Sequence, residues 1–358
     1  MQRRPRNPLA LFTFSSTLLA HALLLLVETQ DFVPVWASEL ARFIPFYWVL
    51  PPLVLGALAA FWLRPRGLLL ALGLGNVLVF GLITMDWHWN SPPEAVSTGK
   101  HIRILSYNVK ALNAEHKPMG LQQLEQTIQS YAPDLVALQD AQKWLTHDPR
   151  RSAPPEDENS NAAWVDHSLP VFGLPYSVAV GQFVIASRFP LEACEASPTD
   201  EAKEALPYLR CRALVDGKPL EIITSHLVSP RSGLLAAKTE TSSGLVYWQH
   251  NVARRLQQSQ ALLRLITQRP GPVVVLGDFN AAEQSPVIEN LKLAQLHDAF
   301  SEAGRGWGYT HGHALNQGID LYRIDHILLS PSLRALHFEV GNSQASEHNP
   351  IVADVVLQ

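Results

Sequence analysis

Three long runs without a charged residue fill most of the first ninety positions: Pro8 to Val27, Phe43 to Leu63 and Gly67 to Met85. Each approaches the roughly 20 residues an α-helix needs to cross a hydrocarbon core. The runs therefore predict three transmembrane helices, about 8–27, 43–63 and 67–85, within a membrane anchor of residues 1–89. A cleaved signal peptide followed by two buried helices is the competing reading, because Arg3, Arg4 and Arg6 ahead of an apolar run also suit a signal sequence. Two further spans favour an uncleaved anchor. A transport role fits poorly, since the runs hold no ionisable residue beyond His21 and transport paths need buried polar groups.

Arginine placement sets the expected orientation. Arg3, Arg4 and Arg6 precede the first run, and Arg64 and Arg66 fill the loop between the second and third. The positive-inside rule puts both places on the cytoplasmic side. The third span then exits on the far side, which makes the chain an integral membrane protein with its larger part extracytoplasmic, periplasmic or extracellular. Trp87 and Trp89, just past the third run, suit a membrane interface, although paired tryptophans also serve as packing residues. Cys194 and Cys211 flank a strand–loop–strand pattern, and the sequence leaves open a bridge across that hairpin or two separate buried thiols.

Residues 90–100 form a polar linker without periodicity, and a second domain is expected over 101–358. Beyond residue 99 the chain carries 22 Lys and Arg against 27 Asp and Glu, a balance that argues against a dedicated nucleic-acid binder. Strand-like runs at Ile102–Ser106, Leu135–Leu138, Leu220–Ser225, Val273–Leu276 and Ile327–Leu329 alternate with helical spacing at Leu121–Tyr131 and Asn251–Gln268, an α/β pattern. Arg150–Asn161 and Ser229–Ser243 lack apolar periodicity and are expected to be loops.

Each strand-like run ends in a short polar motif, so residues far apart in sequence could converge on one rim of a sheet. Val273–Asn280 delivers Asp278 and Asn280, a carboxylate to orient or deprotonate water and an amide to hold a phosphate oxygen. Asp140 ends the run after Pro133 and is a plausible oxygen ligand for a hard divalent cation. Asn108, closing Ile104–Asn108, could bind the same ion or a phosphate. Turns are the bland reading of all four, because Asp and Asn often only close loops. His226 and His348 end or precede further strands beside acids and amides, where an imidazole can donate to phosphate or protonate a leaving group. Glu347 is expected to hold the His348 imidazolium, and Asp325 to orient a histidine or Arg323, with His326 on the opposite face of its strand.

These motifs, Tyr107-Asn-Val, Pro133-Asp-Leu-Val-Ala-Leu-Gln, Ser225-His-Leu, Gly277-Asp-Phe-Asn, Ile324-Asp-His-Ile-Leu and Ser346-Glu-His-Asn-Pro-Ile-Val-Ala-Asp, resemble in order and spacing the endonuclease/exonuclease/phosphatase superfamily. The resemblance covers residues 101–358. It implies a four-layer α/β/β/α sandwich with a magnesium-dependent site on one rim, manganese being an alternative ion. By that resemblance Asn108, Asp140 and Glu347 approach the metal, His226 and Asn280 bind the phosphate, Asp278 positions the attacking water, and His348 acts with its neighbouring acid. Two positions depart from the usual pattern: Asp140 stands where Glu is usual, and Glu347 where Asp is usual. Both remain carboxylates, so an active site with altered metal or substrate preference is expected.

The expected activity is membrane-anchored, metal-dependent hydrolysis of a phosphate ester, most readily a diester, by in-line attack of water. A lipid substrate suits the tether, which raises effective concentration at a bilayer. A nuclease on external DNA or RNA is the alternative, and a non-catalytic binder of phosphorylated ligands is a third reading. The bilayer and the substrate are the expected partners; nothing in the sequence points to a protein partner. Trp164, Phe172, Tyr247 and Trp248 are candidate substrate contacts.

Overall fold

The computed structural model describes residues 7–30, 32–90, 99–141, 144, 170–197, 207–240, 242–312 and 319–358. The expected loop at 150–161, most of the linker and Trp164 lie outside them. The chain forms two compact units, Met1–His88 and Trp89–Gln358.

The first unit is helical: α1 (Pro8–Thr29), α2 (Val35–Arg42), α3 (Phe46–Ala59) and α4 (Arg66–Val79), the last continued by a π-turn at Phe80–Thr84. Asn7 caps α1 by accepting the Ala10 N–H, and Pro8 sits where a missing N–H costs nothing. Two described helices, Pro8–Thr29 and Arg66–Thr84, are long and apolar enough to cross a membrane. The middle run forms the helix from Phe46 to Trp62, within the expected bounds, and α2 meets it at a 78° bend. Pro45 opens α3, and the residue before a proline is pushed out of helical geometry, so α2 cannot run on. Leu9, Phe12, Leu19, Leu68 and Leu78 are exposed, whereas His21 is buried with Nδ1 2.7 Å from Asn76 Oδ1 and Nε2 3.0 Å from Thr84 Oγ1.

The second unit holds two six-stranded sheets. Its strands are β1 (Lys100–Asn108), β2 (Leu135–Gln139), β3 (Tyr176–Val180), β4 (Phe183–Ser187), β5 (Leu191–Ala196), β6 (Tyr208–Val215), β7 (Lys218–His226), β8 (Val273–Asp278), β9 (His297–Asp298), β10 (Asp325–Leu329), β11 (Leu333–Val340) and β12 (Ile351–Leu357). One sheet has the order β11-β12-β1-β2-β4-β3 and the other β9-β10-β8-β7-β6-β5. Only β1/β2 and β7/β8 pair in parallel within these sheets; their other neighbours are antiparallel.

Alternation along the strands explains how the sheets stack, because successive side chains leave opposite faces. Ile102, Ile104, Leu135 and Ala137 of the first sheet share one apolar cluster with Ile222, Val274, Leu276 and Ile327 of the second. The intervening residues face outward. Leu105, Val136 and Leu138 pack under Leu124 and Ile128 of α6 (Gly120–Ser130), which follows the short α5 (Ala111–Glu115). Ile223, Val273 and Val275 pack under Leu262 and Ile266 of α8 (Ser242–Thr267) and Ile288 and Leu291 of α9 (Pro286–Lys292). Gln139 Nε2 donates to Thr224 Oγ1 at 2.9 Å, a polar link between the sheets at one end of the sandwich.

The expected loop at 229–243 is largely helix: α7 (Arg231–Thr239) and the start of α8, which begins nine residues before the helix read from periodicity. Gly233 is the reason the pattern was obscured. A Cβ there would sit 3.0 Å from Trp248 and 3.1 Å from Asn251, so α7 lies close on α8 through a residue that carries no apolar signal. A short α10 (Ala299–Ala303) completes the helices that bear on the site.

Cys194 and Cys211 form a disulfide between β5 and β6, which settles the alternatives the sequence left open. It closes a loop with a sequence separation of 17 residues, for which chain entropy gives about 3 kcal/mol. Cys194→Ser with Cys211→Ser should lower unfolding free energy by about that amount in denaturant titrations. Dithiothreitol should reproduce the loss in the parent and leave the double variant unchanged.

Candidate active site

Strand register alone assembles most of the site. Asp278, at the end of β8, is the register partner of His226 on parallel β7 and of Asp325 on antiparallel β10. Asn108 ends β1 opposite Gln139 on β2, and Asp140 follows at once. His348 lies just before β12, whose first residue Ile351 pairs with Ser106. All the expected residues therefore reach one end of the two sheets.

The chain turns back over the strand ends through left-handed backbone at Lys110 (φ 47), Asp140 (φ 52) and Asn280 (φ 51). Non-glycine residues hold this conformation only where their surroundings over-determine it. At Asn280 the cause is a short turn: its N–H donates to Asp278 Oδ1 at 2.9 Å and its amide donates to the Leu227 carbonyl at 2.9 Å. The extended geometry expected from Asp278 to Asn280 stops at Asp278, so their side chains do not run parallel. Gly277 is required by close approach, since φ is +144 and a Cβ would stand 2.0 Å from the Ser225 carbonyl oxygen.

Asp278 is 1% exposed and is the centre of the arrangement. Its Oδ2 accepts from Asn108 Nδ2 at 2.9 Å and lies 3.4 Å from His226 Nε2 and 3.6 Å from His348 Nε2. The far nitrogen of each imidazole is also held. His226 Nδ1 donates to Gln182 Oε1 at 2.7 Å, and His348 Nδ1 lies 2.9 Å from Asp325 Oδ2, which also accepts from Thr310 Oγ1 at 2.6 Å. Asp325, not Glu347, therefore holds the His348 ring: burial and a neighbouring strand select the carboxylate, whereas Glu347 points to Arg231 at 3.8 Å. Nor does Asp325 orient Arg323, whose guanidinium bonds Asp298 at 2.9 Å and Glu283 behind the site. His326 occupies the opposite face, with Nδ1 2.6 Å from Asp298 Oδ2.

Burial disfavours charged imidazoles, yet both histidines are pushed upward: His226 by Asp140 and Asp278, and His348 by Asp325 and Asp278. Burial alone would raise the Asp140 carboxyl, but His226 and Lys110 together hold it well below the usual carboxylate range. Lys110 was not foreseen from sequence. Its Nζ donates to Asp140 Oδ2 at 2.5 Å, its N–H donates to Asn108 Oδ1 at 3.3 Å, and the charge of Glu347 also acts on it. Of the expected metal donors Asn108, Asp140 and Glu347, Asp140 is thus ion-paired by the chain itself, and oxygen donors of this kind suit a hard divalent ion. Asp278, Asp325 and His348 form a second set whose donor atoms lie within 4.8 Å of one another.

Gln182 and Thr310 were also missed, because neither sits in a polar motif at a strand end; they arrive from a β3–β4 turn and a loop. Among the candidate substrate contacts, Trp248 is fully buried beside Arg255, and Phe172 is buried 5.7 Å from Trp144, so both are packing residues. Tyr247 is exposed.

Gly277→Ala should cost at least about 1–3 kcal/mol from backbone strain, visible as a lower thermal midpoint. Behind the site, burial tends to raise the Asp298 carboxyl, but Arg323 and His326 hold it below its ordinary value. Its contribution is then full above the unfolded-chain value of about 3.9 and is lost as pH falls through the lower folded value. Asp298→Asn should therefore cost about 3–5 kcal/mol near neutral pH, and its stability should fall less steeply than the parent's below about pH 4.

The family model described as the Endonuclease/Exonuclease/phosphatase family matches residues 105–348. Among solved structures, an endonuclease/exonuclease/phosphatase family protein from Bacteroides thetaiotaomicron is 12% identical, with 73% of this chain and 99% of that chain covered and a TM-score of 0.50. TDP2 of D. rerio, humanized by 14 mutations, is 18% identical, with 71% and 98% covered and a TM-score of 0.50. At such identities the likeness is one of fold. A search of curated proteins returned no match. The family match takes in more than half of the chain and every strand end that supplies the site, from Asn108 to His348, and the chain belongs to the endonuclease/exonuclease/phosphatase family.

Proposed function

We propose that this chain is a membrane-anchored, divalent-metal-dependent hydrolase of phosphate esters, a phosphodiesterase acting by in-line attack of water. The observation that carries the reading is Asp278 Oδ2 set among Asn108 Nδ2, His226 Nε2 and His348 Nε2, with Asp325 behind His348. A carboxylate so placed orients and deprotonates a water. His348, whose charged form Asp325 favours, donates to a phosphate oxygen or protonates the leaving oxygen, and His226 faces the same oxygens from the other side. Asn108, Asp140 and Glu347 would hold the divalent ion. When bound, magnesium or manganese neutralises phosphate charge and stabilises the leaving oxygen.

Lipid is the substrate class we favour. In the second unit, exposed Leu112 and Met119 follow Asn108, exposed Leu235 and Tyr247 lie on the helical hairpin after His226, and exposed Trp307 and Ile319 precede Asp325. Apolar side chains on segments that border a phosphate site suit an amphipathic ester. The apolar helices of the first unit support anchoring, and the disulfide supports an oxidising, extracytoplasmic side.

The test is magnesium-dependent hydrolysis by the full chain in detergent micelles, across sphingomyelin, other phospholipids, phosphoinositides and plasmid DNA. Asp278→Asn and His348→Ala should each lower turnover by roughly 10²–10⁴-fold. Turnover of plasmid DNA alone would replace the lipid reading with a nuclease. No turnover of any of them, with retained metal binding, would leave a binder of phosphorylated ligands.

A further inference from the structure

Lys110 sits in the negative field of the site. Its Nζ donates to Asp140 Oδ2 at 2.5 Å, while the other Asp140 oxygen lies 3.4 Å from His226 Nδ1. Both oxygens of this carboxylate are thus engaged by nitrogen groups of the chain itself. The lysine is fixed at its backbone too, because its own N–H donates to Asn108 Oδ1 and the next residue's N–H donates to the Asp140 carbonyl at 2.8 Å. Its side chain keeps 26% of its surface exposed, so it is not sealed in the core. Asp140, Asp278 and Glu347 are the carboxylates whose charge bears on it.

An ion bound at Asp140 must share or displace this ammonium, since two cations on one carboxylate repel each other at short range. Resting on the metal and phosphate reading given above, we infer that Lys110 is the metal site's built-in counter-cation: it neutralises Asp140 while the ion is absent and turns to the substrate's phosphate when the ion arrives. Three consequences follow from charge alone. The lysine weakens metal binding. It keeps the acidic cluster from repelling itself in the metal-free chain. With the ion in place, it adds a point charge for an anionic ester, the role for which an ammonium is suited. The aliphatic stem has the rotatable bonds for such a turn.

The experiment is Mn²⁺ binding by the full chain in detergent micelles, measured by calorimetry, together with steady-state kinetics on the ester that the parent turns over. Lys110→Met and Lys110→Gln should bind Mn²⁺ at least about tenfold tighter, a gain of about 1.4 kcal/mol, and Lys110→Arg should stay near the parent. The same neutral variants should raise KM for the phosphate ester more than they lower kcat. If Asp140→Asn leaves Mn²⁺ affinity unchanged, the ion is not held at Asp140, and the metal assignment and this inference fall together. If Asp140→Asn weakens binding but both neutral Lys110 variants bind Mn²⁺ equally or more weakly than the parent, the lysine merely props Asp140, and this inference alone is overturned. Agreement between Met and Gln, with unaltered circular dichroism, separates a charge effect from a folding defect.

Discussion

Asp278 is a carboxylate almost wholly removed from water, and a buried charge is stable only when donors replace its hydration. Those donors come from different parts of the second unit: Asn108 from one sheet, His226 from the neighbouring strand, and His348 from the loop before β12. The two sheets must therefore stack with these ends aligned, and the shared apolar cluster between them does that. Register takes care of the rest, since Asp278 has His226 on one side and Asp325 on the other. A one-residue slip in either pairing would turn the site side chains to the opposite face.

The period of two along β10 divides two polar jobs between adjacent residues. Asp325 faces the site and holds His348, while His326 faces away and joins Asp298, which is also bound by Arg323. A buried network that is satisfied by its own members gives the strand a fixed position, and the geometry of the site inherits that rigidity. The left-handed turns at Asp140 and Asn280 work to the same end, folding polar groups back over the strand ends instead of letting the chain run on.

The two units solve opposite solvation problems. In the second, apolar side chains turn inward and the polar cluster opens at one rim. In the first, leucines and phenylalanines face outward, and His21 finds Asn76 and Thr84 inside. That inside-out distribution is what a helix bundle in lipid requires, where polar groups must be satisfied by one another.

Much of this was legible in the sequence because it rests on local pattern. Uncharged runs marked α1, α3 and α4 of the first unit, short apolar runs marked several of the strands, and polar residues at strand ends marked Asn108, Asp140, His226, Asp278, Asp325 and His348 as a set. What only the tertiary structure decided concerns partners. Pro45 separates α2 from the helix of the middle run, Gly233 hides a helix whose contact surface belongs to α8, and Trp248 is a core residue beneath that same contact. Which acid holds His348, and that Lys110 reaches Asp140, depend on distances between strands far apart in the chain, whereas a pattern along the chain encodes only which face each side chain leaves.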